Sequence, residues 1–383
     1  MSGIRDELLT RWGHIQGTLF GWFGEELGPL TDKHEQLVCV LDLIGLETHV
    51  RGDAGGRGRP RDDRRAIARA FVAKAVLDLP TSRALLDRLA GDARLRRLCG
   101  WERRTEMPSE STFSRAFAEF ADSGLPARLH EALVRHGHQQ RLVGHVARDA
   151  TEIAGREKPP PSPKAPPPKR PKPGRPKTGE AAGRRRSDRL KRQPGLDLRA
   201  MLADLPSRCD VGAKRNSKGF RQSWVGYKLH LDVADGDVPV SVILTSASLH
   251  DCQAAIPLIA MTSERITYLY DIMDAAYAAA AVEDYSRRLG HRPIIVARSD
   301  RHAPGRKAEQ RAERKRLARL GFETPEDRLA RYRSAAERVI ARLKDDLGAR
   351  MIRVRGHAKV YCHLMFGVLS LTALNLFRLA TAR

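Results

Sequence analysis

From Gly155 to Pro194 the chain carries 14 Lys/Arg, 3 Asp/Glu and 11 Pro, with almost no apolar side chains. A stretch of this composition cannot bury enough apolar surface to offset the entropy of ordering it. It is expected to be a disordered or extended, polyproline-like arm. A folded core must therefore come from the residues on either side. The whole chain has 383 residues and is 41% hydrophobic, enough for two domains or for one large domain with an appendage.

Lys and Arg number 69 against 46 Asp and Glu, a formal net charge of +23. The arm's 14 cations and 3 acids supply +11 of this and leave +12 on the rest of the chain. So one-sided a balance calls for a polyanionic partner. Nucleic acid fits better than an acidic membrane, because the cations are spread along the chain and no basic amphipathic helix with aromatic anchors stands out. Five cysteines, Cys39, Cys99, Cys209, Cys252 and Cys362, show no C-x2-C spacing. The odd count and the scatter fit a reducing cytoplasm, without a disulfide framework or a structural zinc site. The first residues lack the apolar core of a signal peptide. The apolar run from Leu364 to Phe377 contains Asn375 and ends at Arg378, too short for a span, so it reads as a buried C-terminal helix of a soluble protein.

Residues 1 to about 50 have helical periodicity. A Gly/Arg loop follows, and its core Arg57-Gly58-Arg59-Pro60 looks like an AT-hook type of minor-groove arm, or else a plain linker. From Arg65 to Gly137 the periodicity gives short helices, with Thr81 and Ser109 as N-caps and Gly91 and Gly100 as stops. They form either a helix-turn-helix or a bundle that only dimerises. A short strand, 142–149, ends at Asp149, which unaided reads as a turn or cap residue. Beyond the arm, Val225–Val233 and Val238–Ser246 alternate around Asp235-Gly236-Asp237, a hairpin signal. Lys228 and His230 share one face of the first hairpin strand and are candidates for phosphate contact. A strand from Ile266 to Met273 runs into Asp274; Asp271 lies within that strand, whereas Asp274 stands at its carboxyl end, where parallel sheets present their sites. A helix (Ala276–Leu289), a strand (Pro293–Ala297) and a basic helix (Arg306–Leu320) complete the pattern.

The last polar pattern is on the amphipathic helix from Arg331 to Leu347. Leu329, Tyr332, Ala336, Val339, Ile340, Leu343 and Leu347 form its apolar stripe. Arg333, Glu337 and Lys344 fall within about 40° of one another along the border of that stripe, and Arg331, Arg338 and Arg342 point away. A carboxylate flanked by two cations at the edge of a core face suits a metal ion beside a phosphate. It also suits a solvated helix with an (i, i+4) Arg/Glu pair.

The spacing R-x3-E-x6-K resembles the signature around the third acid of bacterial insertion-sequence DDE transposases of the YREK kind. That pattern has a Tyr three residues before the Arg; here the position is Ala330 and the nearest tyrosine is Tyr332. Asp149-Ala150-Thr151 resembles the family's first acid motif, and Asp274-Ala275-Ala276-Tyr277 its second. Gly226, Tyr227, Lys228 and His230 match G-Y-K-x-H, and Thr245, Ala247, His250 and Asp251 match T-x-A-x-x-H-D. The residues of that last pair are read as a helix N-cap with a neighbouring hydrogen bond. Met107 to Arg115 resembles part of the N-terminal helical domain. The likeness covers Arg57 to the C-terminus in the family's motif order.

The resemblance implies an α/β fold, an RNase H-like mixed sheet flanked by helices (141–383, with the arm inserted at 155–194), preceded by an all-α DNA-binding or dimerisation domain (1–140). It implies that Asp149, Asp274 and Glu337, 125 and then 63 positions apart, converge to hold two Mg2+ ions, with Mn2+ able to substitute. With Arg333 and Lys344, the candidate DNA contacts are Lys228 and His230 on their strand and Arg57 and Arg59 in the AT-hook-like loop. The implied partner is double-stranded DNA, both transposon ends and target, bound by a homodimer in the bacterial cytoplasm at the nucleoid. Only 62 residues lie between Asp274 and Glu337, too few for a large β-domain insertion. A metal-dependent nuclease on the same fold, or a domesticated and inactive DNA-binding protein, are the competing readings.

Deleting the arm is expected to weaken DNA binding and to flatten its dependence on salt while any preference for particular ends survives, because phosphate contacts release counterions and carry no sequence information. An unchanged salt slope would count against it. Arg57→Ala with Arg59→Ala is expected to weaken binding to A·T-rich duplexes more than to G·C-rich ones, since arginines in a narrow minor groove read its width and potential. Equal losses in competition binding would reduce the loop to a linker.

Overall fold

The computed structural model describes residues 2–50, 62–139, 141–159, 186–215, 220–295, 312–313, 315–317, 319–322, 328–329 and 331–382. Arg57 and Arg59, the centre of the arm, Ala297, Ala330 and most of the expected 306–320 helix lie outside them. The N-terminal part is helical: α1 (Ser2–Ile15), α2 (Gly21–Leu27), α3 (Asp32–Ile44), α4 (Leu46–His49), α5 (Arg64–Val76), α6 (Ser82–Gly91), α7 (Ala93–Cys99), α8 (Glu110–Asp122) and α9 (Leu125–Gly137). The expected caps are in place. Thr81 accepts from the Ala84 N–H and Ser109 from the Thr112 N–H, and Gly100 stops α7 with φ +108°. Gly91 does not stop a helix; α6 includes it, and Asp92 both ends α6 and caps α7.

The strands are β1 (Leu142–Ala154), β2 (Asp210–Arg215), β3 (Arg221–Ala234), β4 (Val238–Ser246), β5 (Thr267–Met273) and β6 (Arg292–Ile295). They form one mixed sheet in the order β2-β3-β1-β5-β6, with β4 also on β3. β2 and β4 share one edge of β3 end to end: Arg221–Gly226 pairs with β2 and Tyr227–Ala234 with β4. β3 is antiparallel to β1, and β1, β5 and β6 are mutually parallel. With the edge strand β2 set aside, the first and fourth strands, β1 and β5, lie side by side, as an RNase H-like fold requires. The hairpin turn is Asp235-Gly236-Asp237, with φ +80° at Gly236 and +60° at Asp237. A side chain at Gly236 would also meet Leu379 at 2.4 Å, so glycine is demanded twice there.

Helices cover both faces. α12 (Cys252–Arg265) and α13 (Ala280–Arg288) follow β4 and β5. α14 (Ser334–Asp346), preceded by α10 (Arg186–Arg192) and α11 (Leu198–Ala203) in the chain, lies over β1 and β3 on the other face. Its apolar stripe Ala336, Val339 and Leu343 packs with Leu229, Leu231 and Val233 of β3. The last helix, α15 (His357–Thr381), is longer than the run Leu364–Phe377 suggested. It is long and apolar enough for a membrane span, but 78% of its apolar window is buried in the protein. Phe366, Leu369 and Ala373 join the core of the N-terminal helices, and Leu364, Val368 and Leu371 join the core beneath α14. Phe71 of α5 meets Phe113, Phe117 and Phe120 of α8 and stacks on Phe366. The boundary at 140 thus falls between α9 and β1, while apolar packing runs across it.

The ends of the stretch read as an arm are built into the fold. Glu157 accepts from Tyr227 Oη at 2.7 Å and from the Gly356 N–H at 2.8 Å. Arg189 of α10 donates to Asp204 at 3.0 Å, and Gln193 is fully buried and donates to the Gln253 carbonyl at 3.0 Å. These residues are ordered by hydrogen-bond partners outside the window, which its own composition does not reveal. A deletion confined to the arm is therefore one of residues 160–185.

At the centre of the sheet Arg148 is fully buried. Its Nη2 lies 2.8 Å from Asp232 Oδ2 of β3 and its Nη1 lies 3.1 Å from Asp271 Oδ1 of β5. Thr262 of α12 donates to Asp232 at 2.7 Å and Ser286 of α13 to Asp271 at 3.0 Å. One guanidinium faces two carboxylates. Burial pushes the Asp232 carboxyl up, against the pull of Arg148. Arg148→Met is expected to cost about 3–5 kcal/mol in denaturant unfolding, since it leaves two buried acids uncompensated. Orphaned acids have raised folded-state pKa values, so the deficit should shrink below about pH 4 and grow as pH rises. A deficit that does not change with pH would contradict this.

Candidate active site

β1 and β5 keep parallel register from Leu142 opposite Thr267 to Arg148 opposite Met273. There β5 ends, and β1 continues to Ala154 paired with β3 alone. The strand expected to end at Asp149 is five residues longer; what ends there is the parallel ladder. Asp149 and Asp274 are the next residues on the two strands, so they stand side by side where the strands part. Side chains alternate across a sheet. Arg148 takes the face of α12 and α13, and Asp149 and Asp274 take the face of α14. Asp271 shares the Arg148 face, which makes it a structural acid.

Each aspartate is oriented by a backbone donor. The Ala150 N–H donates to Asp149 Oδ1 at 2.8 Å, and the Ala276 N–H to Asp274 Oδ1 at 2.8 Å. Glu337 lies in the first turn of α14, after the 3-10 turn Arg331–Arg333. Its Oε1 is 2.7 Å from Arg333 Nη1, and its side chain is 51% exposed, so the third carboxylate can still reorient. Burial is the main cause that lifts the Asp149 carboxyl to about 6; the Ala150 N–H opposes the rise, Asp274 and Glu337 add to it, and Arg333 opposes it. Asp274 and Glu337 are thus both close enough for their charges to act on Asp149.

Three mutually repelling carboxylates are the oxygen donors that a hard divalent cation takes. Among the described residues no three His, Cys, Asp or Glu side chains are closed tightly enough to hold a metal ion. The donor chemistry fits such an ion, and in this structure Glu337 is paired with Arg333.

The expected DNA contacts are distributed unevenly. Arg333 is at the acids. Lys344 is on α14 as expected, but its Nζ lies 3.3 Å from Glu152 Oε1, and Lys214 of β2 lies 2.7 Å from Glu152 Oε2. Burial alone would raise Glu152; the Lys214 hydrogen bond and the charge of Lys344 bring it down to about 2. Lys228 and His230 do share a strand face, but Asp149 is paired with Leu231, so alternation sends them to the face away from the acids. Lys228 Nζ is 2.8 Å from Asp251, and it donates to the Leu249 carbonyl at 2.7 Å. His230 is fully buried, 2.9 Å from Thr245 Oγ1, and burial pushes its pKa down to about 4. Asp251 stands at the N-cap of α12 but is taken by Lys228; the His250 ring accepts from the Cys252 N–H at 3.4 Å instead.

Three features escaped the sequence reading. Tyr332, expected on the apolar stripe, is 46% exposed, because the 3-10 turn shifts it off the α14 face. It stacks on His145 with centroids 4.0 Å apart, and His145 stacks on Tyr270, its register partner. The Arg148 cluster and Glu152 were also passed over. Glu152 had a signal, an acid three residues after Asp149; the stack had none without the register.

A transposase DDE domain family matches residues 146–376. A second family, described as Transposase domain (DUF772), matches residues 25–119. No curated protein matches the chain, and no solved structure does. The first match takes in more than half of the residues, including β1 with Asp149, Asp274 and α14 with Glu337, and the chain belongs to the transposase DDE domain family.

Proposed function

We propose that this transposase is of the YREK kind, that Asp149, Asp274 and Glu337 are its catalytic acids, and that it cuts double-stranded DNA at insertion-sequence ends and joins the freed 3′ ends to target DNA. The observation that carries this reading is the placement of Asp149 beside Asp274 where β1 and β5 part, with Glu337 near enough that both raise the Asp149 carboxyl. Two Mg2+ ions, or Mn2+, held by these carboxylates would supply the charge that activates the attacking oxygen and stabilises the leaving one in an in-line displacement.

The chain's own residues supply the rest. The Ala150 and Ala276 N–H groups hold Asp149 and Asp274 with one oxygen each fixed. Glu337, on leaving Arg333, would complete the oxygen set, and the released guanidinium would be free to hold a phosphate beside the scissile one. The attacking groups are water and then the DNA's own 3′-hydroxyl, so no covalent protein nucleophile is required. A homodimer on the DNA, in the bacterial cytoplasm at the nucleoid, belongs to the same reading.

Glu337→Gln is expected to abolish Mg2+-dependent cleavage and joining of end-bearing duplexes while leaving DNA binding near wild type, since size and helix position are kept and only the charge is lost. Asp345→Asn is expected to stay active; Asp345 is exposed and pairs with Arg350, off the Arg/Glu/Lys stripe. Comparable cleavage by Glu337→Gln, or inactivity of Asp345→Asn, would show that the third acid is misassigned. Cleavage without joining by the wild type would leave a nuclease of the same fold.

A further inference from the structure

Glu152 holds one lysine on each carboxylate oxygen, Lys214 on Oε2 and Lys344 on Oε1. The pairing is bidentate and draws together β1, β2 and α14, elements remote in sequence. Its position relative to the acids is set by two simple rises. Glu152 lies three residues beyond Asp149, about 10 Å along a strand, and as the register partner of Lys228 it leaves β1 on the face opposite Asp149, with its carboxylate reaching Lys344 of α14. Lys344 lies seven residues beyond Glu337, about 10 Å along a helix. Lys344 is on the helix that carries Glu337, so a DNA strand that crosses the acids and follows this helix would pass Lys344 next, and with it the Glu152 carboxylate that Lys344 holds. Around it the charge is mostly positive: Arg156, four residues on, donates to the Arg353 carbonyl and brings a second pair of exposed cations to the same end of β1.

An anionic group gripped by two ammonium ions, partly exposed and beside a site for a polyanion, has the recognition chemistry of a backbone phosphate. The geometry is poor for a purely structural pair. Glu152 is 35% and Lys214 46% exposed, and pairs as open as this add little to stability. We infer that Glu152 is an internal stand-in for a DNA phosphate: Lys214 and Lys344 form a phosphate clamp, and DNA binding displaces Glu152 from it. The inference rests on the DNA reading above and adds two residues to it, Lys214 as a contact and Glu152 as its competitor. In the DNA-free chain the carboxylate keeps both ammonium ions in place and screens them from unrelated anions. On binding it is left beside a phosphate, which lowers affinity.

The test uses the full chain and a fluorescent duplex in a salt series with chelator, so that cleavage does not intervene. Lys214→Ala is expected to weaken binding and to lower the slope of log K against log salt by about one, as the loss of one phosphate contact requires. Glu152→Gln is expected to tighten binding by about three- to tenfold at each salt concentration, since it removes the competitor and keeps the side chain's size. A slope unchanged in Lys214→Ala, or weaker binding by Glu152→Gln, would overturn the clamp. Should Lys214→Ala lose its cooperative melting transition, Lys214→Gln carries the same slope test. Failure of the wild type to bind duplex DNA would end the functional reading and the clamp together; wild-type binding and cleavage with both variants indistinguishable from it would end the clamp alone.

Discussion

The structure depends on one guanidinium. Arg148 lies between Asp232 and Asp271 with no exposure to solvent, and these three residues sit on β3, β1 and β5, the middle of the sheet. A buried charge is tolerated only where its partners are at hydrogen-bond distance. A one-residue slip of β5 against β1 would carry Asp271 to the opposite face and leave the charge unpaired. The triad therefore specifies register more than it adds stability. Register is what the proposed active site needs, because Asp149 and Asp274 meet only if Arg148 is opposite Met273. The residue preceding the first acid thus fixes where the second one stands.

On the other face the charges are held differently. Every cation expected to face phosphate there is already engaged: Arg333 by Glu337 and Lys344 by Glu152. Both pairs are partly exposed, where an ion pair is worth about 0–1 kcal/mol, so exchanging an internal carboxylate for a phosphate or a metal ion has a small cost. Asp149 shows the opposite sign. Its carboxyl is raised to about 6 by burial and by neighbouring acids, so the site without a counter-charge is short of positive charge. Within about 10 Å, three residues along a strand or seven along a helix, lie acids that lack a cation and cations already paired, a distribution that binding of metal and DNA together would relieve under the proposed reading.

Much of this was legible beforehand, for identifiable reasons. Asp274 could be chosen over Asp271 because strand ends and strand interiors differ in exposure, and the structure puts Asp271 among buried side chains. The place of Glu337 at the border of the apolar stripe followed from helical spacing, since α14 buries Ala336, Val339 and Leu343, whereas its proposed role came from the family resemblance. What depends on register was not legible. Lys228 and His230 alternate as expected, yet nothing in the strand says which face looks toward the acids, and that was decided by the pairing of Leu231 with Asp149. The ordered ends of the arm were missed because Glu157, Arg189 and Gln193 find partners more than ten residues away. Composition averages over a window and cannot see them.

The first two acids and the third are therefore held by different physics. Asp149 and Asp274 are carried by strands locked through a buried ionic cluster, and their positions cannot drift without unpairing a charge. Glu337 rides on a helix whose docking on the sheet combines apolar packing with contacts around the hairpin turn. Arg338 of α14 grips Asp237 at 2.9 and 2.6 Å, Arg342 donates to Asn375 of α15 at 2.8 Å, and Asn375 donates to the Asp237 carbonyl. Asp235, two residues earlier, accepts from the Gly144 N–H at 2.7 Å and lies 3.0 Å from His145 Nδ1, and His145 carries Tyr332. One tight turn thus sets the height of α14 over β1 from both ends of its N-terminal half. The Glu337 side chain, paired with Arg333 and 51% exposed, is left adjustable on this fixed helix, so under the proposed reading its carboxylate could turn to join the two aspartates around a metal ion.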